Sequence, residues 1–247
     1  MTRRDVLQEL DLWPMWRLRG RAAATPEETC RSAENADTKT AEQSGATPDR
    51  RATILRMDWS ELKQGVAACT ACRLHESRSQ TVFGVGDEQA DWLFVGEGPG
   101  AEEDRQGEPF VGQAGKLLDN MLAAIHLKRG SNVYIANAVK CRPPGNRNPE
   151  ADEMAACEPY LARQIALLQP KLIVALGKVA AQDLLGSDRS ISSLRGTLHQ
   201  AHGIPLIVTY HPAYLLRTLT DKAKAWEDLC FALRTMHSLQ TGAQAAS

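Results

Sequence analysis

The chain has 247 residues and a formal net charge of −1, with 43% hydrophobic and 24% charged residues. That length suits one core of ordinary size plus an extension, and the near-neutral balance excludes a global basic field, so any nucleic-acid contact needs a local patch. No apolar run approaches a membrane span, and Met1–Glu9 lacks the apolar stretch of a signal peptide. The six cysteines are therefore expected as reduced thiols or metal ligands in a cytoplasmic protein without membrane contacts.

Met1–Arg19 carries Leu7, Leu10, Leu12, Trp13, Met15, Trp16 and Leu18. It predicts a short helix that packs on its own domain or on a protein partner. Gly20–Arg51 is rich in Ala, Thr, Glu, Asp and Ser and nearly free of large apolar residues, the composition of a flexible linker. Residues 1–51 are thus read as an N-terminal extension and residues 52–240 as the folded domain.

Ile54–Ala68 reads as helical and leads into Cys69-Thr-Ala-Cys72. Val82–Gly86 suits a short strand or bulged edge. Four apolar runs then read as buried strands: Trp92–Val95, Val133–Ala136, Leu172–Leu176 and Leu206–Thr209. Helical patterns lie between them over Gln113–Lys128, Pro149–Leu168 and Lys178–Leu185, and another runs from Trp226 to His237. Asn148-Pro149 followed by Glu150, Asp152 and Glu153 gives a cap, a proline at the helix start and an acidic first turn. Pro159 predicts a kink or restart inside that helix. Strands alternating with helices predict a parallel α/β sheet with helices on both faces.

The unusual loops follow the four strands and so fall at one end of that sheet, where open α/β sheets bind ligands. The first of them, Gly96-Glu-Gly-Pro-Gly100 and onward to Gly112, is glycine-rich and lets a ligand touch backbone N–H groups. Glu97, Glu102, Glu103 and Asp104 argue against a simple phosphate cradle, and neither the Walker nor the dinucleotide pattern is present. The loop suits a small polar ligand that is not merely an anion. An ordinary tight turn with an acidic rim reads equally well from the loop alone.

Cys69 and Cys72 form one close pair, while Cys141 and Cys157 are spread apart. Zinc knuckles normally use two close pairs, so the spacing favours an iron–sulfur cluster over zinc. Cys30, in the linker, and Cys230, on the terminal helix, read as unrelated thiols.

Four features stand together: Gly96-Glu-Gly-Pro-Gly100 with Glu108-Pro-Phe110-Val-Gly112; Asn137 shortly before Cys141-Arg-Pro-Pro-Gly-Asn-Arg147; the spread cysteine quartet; and His211-Pro-Ala-Tyr-Leu-Leu-Arg217. In this order they resemble the family 4 uracil-DNA glycosylases, nearly continuously from Met57 to His237. The resemblance implies a three-layer α/β/α sandwich around a four-stranded parallel sheet. It implies a DNA repair enzyme that flips uracil out of single- or double-stranded DNA and hydrolyses its N-glycosidic bond, leaving an abasic site. It also implies a [4Fe–4S] cluster on Cys69, Cys72, Cys141 and Cys157, and a monomer. The cluster is expected to be structural, fixing the Cys141–Asn148 loop. A related branch that traps uracil covalently carries an inserted basic loop that is absent here, so covalent trapping is not expected.

By position in the motifs, Phe110 is the stacking face, Asn137 reads the base edge, and His211 donates to uracil O2 as negative charge builds there. Glu97 and Gly98 line the base through their backbone N–H groups, and the Glu97 carboxylate is the candidate for activating water or stabilising the sugar cation, with Glu103 and Asp104 as substitutes. Candidate DNA contacts are Arg142, Arg147, Arg195, Arg217 and Tyr214, with Lys140 and Lys178 nearby and Tyr214-Leu215-Leu216 as a possible wedge. The alternative is a catalytically weak glycosylase-like DNA-binding module that recruits a repair or replication partner through residues 1–19.

Overall fold

The computed structural model describes residues 49–244. The predicted helix in Met1–Arg19, nearly all of the linker, and Cys30 lie outside them. Two short helices, α1 (Arg50–Ile54) and α2 (Trp59–Ala67), come first. The apolar pattern runs unbroken across Leu55–Asp58, which is why one helix was expected there. Asp58 instead starts α2 afresh: its side chain accepts from the Glu61 N–H while Glu61 bonds back to the Asp58 N–H, a complete capping box.

The sheet has six strands: β1 (Val85–Gly86), β2 (Trp92–Gly96), β3 (Val133–Asn137), β4 (Leu172–Leu176), β5 (His199–Ala201) and β6 (Ile204–Thr209). Their order is β1-β3-β2-β4-β6-β5. The four expected strands pair in parallel at its centre, with Gly96 opposite Asn137 and Leu176 opposite Thr209. Antiparallel β1 and β5 cover the edges. The β5–β6 hairpin escapes the sequence pattern because its two-residue turn is His202-Gly203, both at positive φ (51° and 78°), rather than the usual Asn-Gly.

Every residue of β2, β3 and β4 is buried. Side chains alternate between faces, so each strand feeds two cores. Leu93, Val95, Ile173, Ala175, Leu206 and Val208 pack under α5 (Ala151–Leu168) and α6 (Lys178–Leu185). Trp92, Phe94, Val133, Ile135, Val174 and Ile207 pack under α4 (Gln113–Ala124) and α9 (Lys222–Gln244). This is the three-layer α/β/α sandwich that was expected. Among the described residues there are also three further short α-helices, α3 (Ala101–Gln106), α7 (Ile191–Leu194) and α8 (Pro212–Arg217).

Helix α5 does not restart at Pro159. The proline removes one N–H and crowds the carbonyl four residues back, yet Cys157, Tyr160, Leu161, Gln164, Ile165 and Leu168 keep one buried face along the helix. Among the described residues, no helix is long and apolar enough to cross a membrane.

Candidate active site

The segments leaving β2, β3, β4 and β6 line one cleft of about 840 Å³, within the usual range for a small-molecule site. Glu97 and Gly98 come from the first, Asn137 from the second, Lys178 from the third, and His211 from the fourth. Phe110 reaches the same cleft from the loop between α3 and α4.

Phe110 and His211 lie with ring centroids 5.5 Å apart and planes 31° from parallel. The side chain of Asn137, 2% exposed, belongs to the same wall. Its Oδ1 is buried and has no hydrogen-bond partner, unusual for a buried acceptor. Gly96 makes room for both: a Cβ there would lie 2.5 Å from Asn137 Oδ1 and 2.5 Å from Phe110 Cζ. Phe110 adopts φ 56°, a region that aromatic residues seldom enter. Two contacts hold it. Arg129 donates to the Pro109 and Phe110 carbonyls, 2.8 Å each, and Gly115 lets the Phe110 carbonyl approach to where a Cβ would be 1.8 Å away. No sequence motif pointed to Arg129; its contacts are 19 and 20 positions away.

His211 caps α8, its Nδ1 accepting the Ala213 N–H at 3.1 Å. That bond leaves Nε2 to carry the proton as a donor. Burial, helped by the nearby Arg217 cation and opposed by Glu103, pushes the imidazole down to about 4, so the ring is neutral at ordinary pH.

The acidic residues divide by environment. Glu103 accepts from the backbone N–H groups of Gly100, Val111 and Gly112 at 3.0–3.1 Å. Asp104, 3% exposed, accepts from the Ser79 N–H at 2.9 Å. Both carboxylates are occupied in shaping the loop, unlike that of Glu97. Their place in the first turn of α3, a helix hidden inside what reads as one long loop, explains the acidic run. The Glu97 carboxylate accepts no hydrogen bond among the described residues, and burial raises its pKa.

The expected DNA contacts also divide. Arg195 forms a nearly buried ion pair with Asp228 (2.7 Å) and lies 4.7 Å over the Tyr210 ring, away from the cleft lining. Arg147 pairs with the fully buried Glu153 carboxylate at 2.6 Å, though it remains on the cleft wall. Arg142 bonds Asn146 and does not line the cleft. Arg217 and Lys178 line it, are exposed, and have no carboxylate partner among the described residues. Tyr214 stacks on Tyr210 and donates to Asp221 at 2.6 Å, and Leu215 is buried. Of the proposed wedge, only Leu216 is free, at 42% exposure.

Cys69, Cys72, Cys141 and Cys157 line a single small cavity beneath α2 and α5. Arg78 donates to Cys141 Sγ at 2.9 Å, and the Lys140 N–H to Cys157 Sγ at 3.3 Å. Donors aimed at sulfur suit thiolates. Burial pushes the Cys157 thiol up to about 12. Among the described residues, no three His, Cys, Asp or Glu side chains are arranged around one metal ion. The donor set, four soft cysteine sulfurs around a shared cavity, fits a multi-iron cluster.

Comparison with known proteins gives the class. Residues 83–230 match the family model described as the uracil DNA glycosylase superfamily, to which the chain belongs. Within it the chain belongs to the type-4 branch. It is 43% identical to a Type-4 uracil-DNA glycosylase of Archaeoglobus fulgidus, over 63% of this chain and 82% of the relative. The Thermotoga maritima protein of the same name is 44% identical, over 66% and 85%. That of Pyrobaculum aerophilum is 40% identical, over 70% and 92%.

Proposed function

We infer that the chain excises uracil from DNA, hydrolysing the N-glycosidic bond and leaving an abasic site. Homologues bearing that name support the reaction. The observation that carries the site assignment is the unpaired, buried Oδ1 of Asn137 beside Phe110 and His211. A uracil turned out of the stack would lie on Phe110 and give its N3–H to Oδ1, while the amide Nδ2 donates to O4. Cytosine presents the opposite pattern and leaves both groups mispaired.

As the glycosidic bond breaks, the base becomes anionic and the sugar cationic. His211 Nε2–H donates to the O2 that gains charge, and a donor already in place is worth roughly 3 kcal/mol. Because the ring is neutral, it stabilises the anion by hydrogen bonding without protonating it. The Glu97 and Gly98 N–H groups flank the base. The Glu97 carboxylate, half-buried and unpaired, stabilises the sugar cation or orients water. Lys178 and Arg217 hold backbone phosphates, and Leu216 fills the gap left in the stack.

The four cysteines hold a [4Fe–4S] cluster, with Arg78 and the Lys140 N–H supporting the thiolates. When bound, it supplies a rigid crosslink between α2, α5 and the Cys141–Asn148 loop. The alternative, an inactive module recruiting partners through residues 1–19, draws no support from the cleft, in which the reading groups come together. The test is a uracil-containing oligonucleotide treated with the protein and then with alkali. Strand cleavage at uracil that disappears in H211A and N137A is expected; an intact strand with iron-loaded wild type contradicts the assignment.

A further inference from the structure

We propose that Lys140 is a positioning residue that ties the base-reading Asn137 to the cysteine cavity and supplies the buried positive charge that a four-thiolate cluster requires. This rests on the cluster reading above. Lys140 is 1% exposed, the one buried lysine or arginine among the described residues. Its Nζ donates to the Asn137 carbonyl at 2.8 Å and to Gln164 Oε1 at 2.5 Å. Gln164 is fixed in turn by donating to the Phe83 carbonyl at 2.9 Å. The Lys140 N–H points at Cys157 Sγ, and its carbonyl takes the Val82 N–H at 2.8 Å. The residue lines the cysteine cavity and precedes Cys141 in the chain.

Both Nζ acceptors are neutral oxygens; no carboxylate lies within ion-pair distance among the described residues, and Asp183 acts on the ammonium from further away. A buried charge without an opposite charge is unfavourable. With a cluster bound, the cysteine thiolates of the adjoining cavity add to the opposite charge of Asp183. Asn137 is the last residue of β3, and its carbonyl takes Lys140 Nζ as a donor. One side chain therefore satisfies the strand end that carries the base reader and balances the cavity. Coupling through such a residue acts in both directions.

The test uses iron-loaded wild type, K140M and K140Q. The cluster's reduction potential is followed by electron paramagnetic resonance, and product binding by inhibition with free uracil. Losing the cation disfavours the more negative reduced state, so both variants shift the one-electron reduction equilibrium about tenfold, roughly 59 mV, towards the oxidised form. Free uracil inhibits K140M about tenfold less well. K140Q retains an amide donor for the Asn137 carbonyl, so its inhibition falls less. It also serves if K140M does not fold. An unchanged potential overturns the charge role, and unchanged uracil inhibition overturns the link to Asn137. Purified wild type without iron overturns the cluster reading itself, before any variant is compared.

Discussion

The carboxamide of Asn137 and the ring of Phe110 come so close at Gly96 that one added methyl would strike both, at 2.5 Å each. The end of β2 therefore shapes the cleft wall from behind, without contributing a side chain to it. Substituting G96A should force Phe110 or Asn137 out of place. We expect a loss of stability of about 1–3 kcal/mol together with loss of uracil excision, measured by denaturant unfolding and oligonucleotide cleavage.

Asn137 should separate activity from stability. Its Oδ1 is buried without a partner, so N137A removes an unsatisfied group as well as some packing. We expect a stability change within about 1 kcal/mol, against a fall in excision of roughly 100-fold. A large drop in melting temperature would mean that the carboxamide serves the fold.

Burial holds His211 at about 4 and raises Glu97 above its ordinary value. In the role proposed for the Glu97 carboxylate, its protonation as pH falls should give the rate an acid limb, and E97Q should flatten it. H211A should lower the rate roughly 100- to 1,000-fold across the neutral range. For stability, the unfolded chain takes up the His211 proton below its ordinary pKa of about 6.5 while the folded chain refuses it until about 4. The contribution of His211 is therefore complete at neutral pH and is lost as pH falls through that window. In H211A that part of the slope in a pH series of melting temperatures should vanish.

The cations should fall into two groups. K178A and R217A should weaken DNA binding and each lower the salt slope by about 0.9, with little effect on folding. R195A should leave the buried Asp228 carboxylate unpaired and destabilise by about 3 kcal/mol. Binding titrations over a range of salt concentrations, run beside unfolding curves, would show whether the groups separate in this way.

Much of the fold was legible because its signals are local, whereas the candidate site residues came from the motifs that carry the family resemblance. Strands β2, β3 and β4 are continuous apolar runs, and Phe110, Asn137 and His211 each sit at a strand end or in a marked loop. What escaped depends on distant partners. Arg195 looks like a free cation until Asp228, 33 positions away, is placed beside it. Glu103 and Asp104 look like candidate catalytic carboxylates until backbone N–H groups surround them. Arg129 carried no signal because it holds carbonyls, which every residue has.

In the role proposed for Phe110 as the stacking face, the grip of Arg129 and Gly115 sets who does the work of recognition. A platform locked in a left-handed backbone conformation offers a finished seat, so the conformational effort falls on the nucleic acid. Sites already loosened, whether wobble-paired, frayed or unpaired, should be served sooner than those in well-stacked helix. The hierarchy of lesions would then be written by DNA flexibility, with a rigid protein as its reader.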